Sequence, residues 1–163
     1  MAIKDRTDWG QLDRDIHNKL ILEYKRKAVK YLQQLGERVV KYARDDKSVA
    51  MHYTDRTGNL RNSIGYVVVQ DGRIVADAFD GNTPASKGYK GGDGNAIGLA
   101  YATSVARELS ADKTYLVWVA GMEYASYVEA KGYDVITGSG DWLESRVKVE
   151  REKFKRYLLS KKL

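Results

Sequence analysis

Apolar side chains recur every three or four positions between residues 11 and 45: Leu12, Ile16, Leu20, Tyr24, Ala28, Tyr31, Leu35, Val39 and Tyr42, with Lys, Arg, Asp and Glu between them. That period places them on one face of a single helix, about 50 Å long at about 1.5 Å per residue. Gly36, inside this stretch, predicts a bend or a close helix contact. A helix this long outruns a small domain, so the pattern predicts extra burial elsewhere, as in an oligomer. The period then changes. Ile64–Gln70 and Arg73–Phe79 are rich in β-branched residues, and Asp71-Gly72 between them is a type I′ hairpin signal. Residues 80–95, "DGNTPASKGYKGGDGN", hold the only Pro and several Gly, which predicts a long flexible loop. Helical spacing returns over 96–109 through Ile97, Tyr101, Val105 and Leu109, with Asn95 as N-cap.

"TYLVWVAG" at 114–121 is a nearly continuous apolar strand, predicted to be central or covered on both faces. Residues 122–132 predict a helical turn closed by Gly132, and "YDVITGSG" a further strand or loop. From about Asp141 to Lys161 the spacing of Leu143, Val147, Phe154 and Leu158 predicts a helix capped by Asp141 or Ser139. The fold class that follows is α+β: a small antiparallel sheet, hairpin 64–79 plus strand 114–121, flanked by a long N-terminal helix and a C-terminal helix. The 163 residues read as one domain, 1–163, with a flexible loop or insertion at about 80–110.

Composition narrows the chemistry. The chain has 43% hydrophobic and 31% charged residues and no Cys, which predicts a soluble globular protein with no disulfide framework and no thiolate metal site. No apolar run approaches the ~20 residues of a membrane helix, and the N-terminus lacks a secretion signal. The expected address is the cytosol, with no membrane contact. The net charge of +6 is uneven: +4 over residues 1–50, −3 over 51–143 and +5 over 144–163. Basic ends around an acidic middle suit a protein near nucleic acid or beside acidic partners; they are equally the solvated faces of two helices.

His17 and His52, the only histidines, have no Ser or Cys context for a triad. "GYKGGDGNAIG" lacks the ending of a phosphate loop. One enzymatic pattern remains. Glu129 and Lys131 form the Glu-x-Lys of a Mg²⁺-dependent nuclease core, with Asp112 or Asp77 as the other carboxylate. It requires both residues on a strand, whereas "YASYVEAKG" reads as helical or irregular. Twelve Tyr and three Trp raise base stacking by a nucleic-acid-binding module, although Tyr24, Tyr31 and Tyr42 fall on the packing stripe of the first helix.

In "YTDRTGNLRNSI" (53–64), Asp55 and Thr57 can cap local N–H groups and Gly58-Asn59 can take a left-handed turn. Leu60 and Ile64 are then buried and Arg56 and Arg61 point outward, suited to a neighbour's carboxylates; a phosphate is the alternative. Within the chain, Arg61 could instead pair with Asp55, and Glu129 could act as a cap.

The segment "DRTGNLRNSI", the hairpin after it and "AGMEYASYVEAKGYDVIT" together resemble the tail-completion or head–tail joining proteins of long-tailed bacteriophages, small minor capsid or tail components. The R-T-G-x-L-R-x-S pattern is matched by Arg56, Thr57, Gly58, Leu60, Arg61 and Ser63, and a later Tyr-Ala-x-x-Val-Glu by Tyr124, Ala125, Val128 and Glu129. The resemblance runs from the first helix to about residue 137. Many relatives read Glu-x-Gly-Thr where this chain reads "EAKGYDVITG", and the 80–110 insertion lies outside the pattern. The resemblance implies a non-enzymatic virion protein, in the host cytoplasm before assembly, that forms a ring at the head–tail junction or tail end, six copies in the usual symmetry. Partners would be other neck or tail proteins and, non-specifically, phage DNA; no cofactor or metal is implied. Arg56, Arg61, Tyr124 and Glu129 are the expected subunit-interface residues.

Overall fold

The computed structural model describes residues 8–46 and 53–160; His52 and Lys161 lie outside them. Helix α1 runs unbroken over Trp9–Lys41, its start capped by the Asp8 carboxylate, which accepts the Gln11 N–H at 2.9 Å. It passes into a π-helical turn, Tyr42–Asp46. Gly36 marks a close contact, not a bend. A Cβ there would sit 2.7 Å from the Tyr66 ring, so its absence lets α1 settle onto the sheet.

A short helix α2 (Asn59–Asn62) leads into β1 (Ile64–Gln70) and β2 (Arg73–Ala78). Asp71 (φ 52°) and Gly72 (φ 74°) both take positive φ, the type I′ geometry that matches strand twist. Then follow α3 (Gly94–Arg107), β3 (Thr114–Ala120), α4 (Ala125–Ala130) and α5 (Thr137–Leu159). Asp93, not Asn95, caps α3, accepting the Ala96 N–H at 2.9 Å.

The sheet is antiparallel in the order β2-β1-β3, with Tyr66 opposite both Ala78 and Trp118. The protein is thus α+β, with a long N-terminal and a C-terminal helix. β1 is the central strand, and Ile64–Val69 are all buried. Ile64, Tyr66 and Val68 pack with Val40, Ala43 and Leu60 on the α1 side. Val67 and Val69 pack with Ala102, Ala106 and Val119 on the α3 side. Each such Val or Ile contributes about 1.5–3 kcal/mol by leaving water. The apolar run at 114–120 is an edge strand, covered by α1 on one face and α3 on the other. A β-bulge between Val68 and Val69 leaves Val75 without a partner, so Ala76 and Ala78 pack toward α1 while Ile74 packs toward α3.

α5 lies along α1, where Tyr31, Leu35 and Val39 meet Trp142, Leu143, Phe154 and Tyr157. A polar knot sits in this apolar seam. Glu150, 4% exposed, accepts both Arg38 Nη atoms (2.9 and 2.7 Å), the Tyr31 hydroxyl (2.7 Å) and Lys153 Nζ (2.8 Å). These donors, Arg38 first, hold its carboxyl down at about 2 despite burial.

Both ends of α5 are capped from elsewhere in the chain. "YDVITGSG" is a loop running into the first turn of α5, which begins at Thr137, before Asp141. Ser139 is buried inside that turn, its Oγ accepting Trp118 Nε1 at 3.1 Å. The start is held by Glu129, whose Oε1 accepts the Ile136 and Thr137 N–H groups at 3.1 and 2.7 Å. At the other end the buried Lys27 ammonium donates to the Leu158 and Ser160 carbonyls at 3.1 and 2.9 Å. A carboxylate at the N-terminus and an ammonium at the C-terminus match the helix dipole at both poles. Among the described residues, no helix is long and apolar enough to cross a membrane.

Candidate functional site

The segment before β1 folds as the caps predict. Asp55 Oδ2 accepts the Arg61 N–H at 2.8 Å, and Thr57 Oγ1 accepts the Asn59 N–H at 3.3 Å. These bonds occupy donors that the first turn of α2 would otherwise leave unpaired. Gly58 takes φ 75°, and a Cβ there would come within 2.2 Å of the Thr83 carbonyl oxygen. Leu60 and Ile64 anchor the turn in the core.

The 80–93 segment, without helix or strand, is stapled onto this turn. Asn62 bonds Thr83 in both directions, its Oδ1 accepting the N–H at 2.7 Å and its Nδ2 donating to the carbonyl at 3.0 Å. Asn59 Oδ1 accepts the Gly92 N–H at 2.6 Å, and the Arg56 carbonyl accepts the Ser86 N–H at 2.8 Å. Asn59 was expected to share a left-handed turn with Gly58, but of the two only Gly58 takes positive φ and Asn59 starts α2; the stapling by the Asn59 and Asn62 side chains was not foreseen. Their signal was two amides three positions apart on one turn, beside a Gly-rich stretch rich in unpaired backbone donors.

Loop, turn and α4 enclose a cleft of about 270 Å³ lined by Tyr53, Asp55, Arg56, Thr57, Tyr89 and Tyr124. Arg56 is exposed, its guanidinium carbon 5.6 Å from the centre of the Tyr89 ring. Arg61 lies 6.0 Å from the Tyr53 ring and is half-buried, not outward-pointing. Its Nε is buried with no acceptor among the described residues. Burial pushes the Tyr53 hydroxyl up to about 12 against the opposing charge of Arg61. Burial likewise raises the half-exposed Tyr124, against the Thr57 side chain beside it.

No ion pair forms between Arg61 and Asp55; that carboxylate accepts the Arg61 backbone N–H and the Thr57 hydroxyl. Among the described residues neither Arg56 nor Arg61 has a carboxylate within salt-bridge distance. Two guanidinium groups are therefore held on a capped turn beside three tyrosine rings, and among the described residues neither forms an ion pair. A planar anion offering two oxygens is what such groups bind best.

Of the four residues expected at an interface, Arg56 and Tyr124 line this cleft, Arg61 lies behind its Tyr53 wall, and Glu129 is not part of it. Glu129 lies on α4, not on a strand, and caps α5. Burial raises its carboxyl, but the Thr137 hydroxyl and the N–H groups of Thr137, Ile136 and Val135 outweigh that and lower it. Lys131 turns to the Tyr127 ring, 5.1 Å from its centre. Asp112 accepts the Ser110 hydroxyl in the turn before β3, and Asp77 lies on β2. Among the described residues no three His, Cys, Asp or Glu gather as a metal site. Tyr31 packs in the α1–α5 seam and Tyr42 stacks on Trp142 at 5.5 Å, whereas Tyr24 is half-exposed beside Phe154; His17 is exposed on α1. Neither family models, nor curated proteins, nor solved structures show a match to this chain.

Proposed function

We propose that this chain is a structural protein of a tailed-phage virion, acting by ring assembly at the head–tail junction or tail end and not by converting a substrate. The observation that carries the reading is the cleft. The two motifs that resemble tail-completion proteins, Arg56–Ser63 and Tyr124–Glu129, lie on its two sides, and among the described residues the arginines of the first form no ion pair. A carboxylate on a neighbouring subunit would complete them. Asp55 is bound to local donors and Glu129 to the start of α5, bonds that account for both carboxylates as caps.

A ring of identical subunits needs two different surfaces that meet head to tail. The Arg-bearing cleft is one such surface, and its tyrosines suit it to that role, because Tyr and Arg are enriched in interface cores. The basic ends of the chain would face phage DNA or acidic neck and tail proteins. Deleting the gene in the phage tests this reading: particles should accumulate with heads and tails unjoined or with tails unfinished. A copy carrying Arg56→Ala and Arg61→Ala should fail to restore infectious particles while still folding. Normal tailed virions from the deletion strain would refute the assignment.

A further inference from the structure

The apolar stripe of α1 is covered along only part of its length. Tyr31, Leu35 and Val39 are 9%, 8% and 0% exposed, whereas Leu12, Ile16, Leu20 and Tyr24 are 42%, 52%, 60% and 52% exposed. The same face changes from core to surface where α5 stops, near Lys27, which holds the last carbonyls of α5. Residues 9–24 thus form an arm about 24 Å long at about 1.5 Å per residue; apart from Phe154 beside Tyr24, its apolar row Leu12, Ile16, Leu20 and Tyr24 stays exposed among the described residues.

The charges beside that row have a polarity. Turning about 100° per residue, Asp8, Asp15, Lys19 and Arg26 fall on one flank of the stripe, because 8 and 15, like 19 and 26, are seven apart. The two nearer the N-terminus are acidic and the two farther on are basic. A second identical helix laid alongside in the same direction would set this flank against the partner's opposite flank, so these four charges would not pair with one another. Laid antiparallel and centred on His17, it puts Asp8 beside Arg26 and Asp15 beside Lys19, each pair twice. The same register sets Leu12, Ile16, Leu20 and Tyr24 of one helix into the gaps between those of the other, the packing used by paired helices. On the other side of the row His17 meets its own copy and Ile21 meets Asp13, whose direction falls between those of Leu20 and Tyr24.

The geometry points to an antiparallel pairing of this arm with the same arm of a second copy of the chain. It is an isologous contact, each arm giving and receiving the same surface, and it is separate from the Arg56–Arg61 cleft. The partner arm takes over the apolar row where α5 leaves it, so one continuous seam is covered first within the chain and then between chains. This contact does not rest on the virion reading: it would hold in purified protein, whatever particle the protein belongs to.

The test uses the full chain in sedimentation equilibrium. Wild type should show a reversible monomer–dimer equilibrium, and Ile16→Asp, at a half-exposed position, should shift it at least a hundredfold toward monomer with an unchanged circular dichroism spectrum. Asp15→Lys and Lys19→Asp should each weaken the dimer about tenfold, as two exposed pairs turn repulsive, and an equimolar mixture of the two variants should restore it as a heterodimer.

Orientation is read by disulfide capture, since the chain has no cysteine of its own. In the antiparallel register the two copies of residue 16 are about 3 Å apart along the axis and those of residue 12 about 15 Å. A disulfide tolerates no more than about 7 Å between Cα atoms, so Ile16→Cys should cross-link under mild oxidation and Leu12→Cys should not. A wild-type chain that stays monomeric at all concentrations overturns the inference. So does equal cross-linking of both cysteine variants, which would mean parallel or random contact, or a dimer that survives Ile16→Asp, which would mean another interface.

Discussion

Replacing Glu150 by Gln keeps the shape of the side chain and removes the charge on which Arg38, Lys153 and Tyr31 converge. Moving a carboxyl from its ordinary 4.5 to about 2 corresponds to about 3 kcal/mol of native-state stability at neutral pH, at about 1.4 kcal/mol per tenfold change in proton affinity. That figure is an upper bound for the substitution. The Arg38 and Lys153 side chains are 41% and 47% exposed and can turn to water, and a Gln carbonyl still accepts from Tyr31. The expected loss is therefore about 2 kcal/mol, less than the cost of stranding a fully buried charge. For a chain of this size that lowers Tm by about 4–8 °C.

The pH dependence separates electrostatics from packing. A carboxyl depressed in the folded state contributes stability that is fully present above its ordinary value and is lost as pH falls through its folded value. The gap between wild type and Glu150→Gln should thus be constant from pH 7 down to about 5, shrink to less than half by pH 3, and close near pH 2. Urea unfolding followed by circular dichroism at pH 7, 5 and 3 measures it. A gap of the same size at all three pH values would refute the ion-cluster account and leave only packing.

Three further substitutions test how the remaining parts are held. Lys27→Met should fray the last turn of α5, costing about 1–2 kcal/mol, read as faster amide exchange in the final turn that ends at Leu159. Glu129→Ala should cost about 1 kcal/mol as a lost helix cap, with the deficit present at pH 7 and fading below about pH 4.5 as the wild-type carboxyl protonates. If purified protein nicks plasmid DNA with Mg²⁺ and this variant does not, Glu129 serves chemistry and not the helix. Asn62→Ala should speed amide exchange across 80–93 while leaving Tm within about 2 °C, since the bonds it removes hold a surface segment; unchanged exchange would mean the loop is held by other contacts.

Much of this fold was legible because its signals are local. The row from Leu12 to Tyr42 gave α1, Asp71-Gly72 gave the hairpin, and Asp55 and Thr57 cap donors within six positions of themselves. What was not legible depends on partners far along the chain. Two strands, 64–70 and 114–120, are apolar on both faces, and nothing in their own residues says which is the middle one; the helices on both sides of the sheet make an edge strand look central. Ser139 and Asp141 read as caps because they stand at the right place, yet the capping carboxylate is Glu129, whose role depends on how α4 meets α5. Glu150 and Lys27 read as solvated charges between apolar positions, and only the packing of α1 on α5 buries them. At the cleft, the two arginines were visible as a pair, but how each is placed depends on the Tyr53 and Tyr89 rings that the fold brings beside them.

The account stands most directly on whether the chain is a part of a particle. Quantitative mass spectrometry of purified virions from a phage carrying the gene measures this. The account predicts the chain at a fixed copy number matching one ring, six in the usual symmetry, retained through washing at high salt. Intact, infectious tailed particles that lack the chain would contradict it.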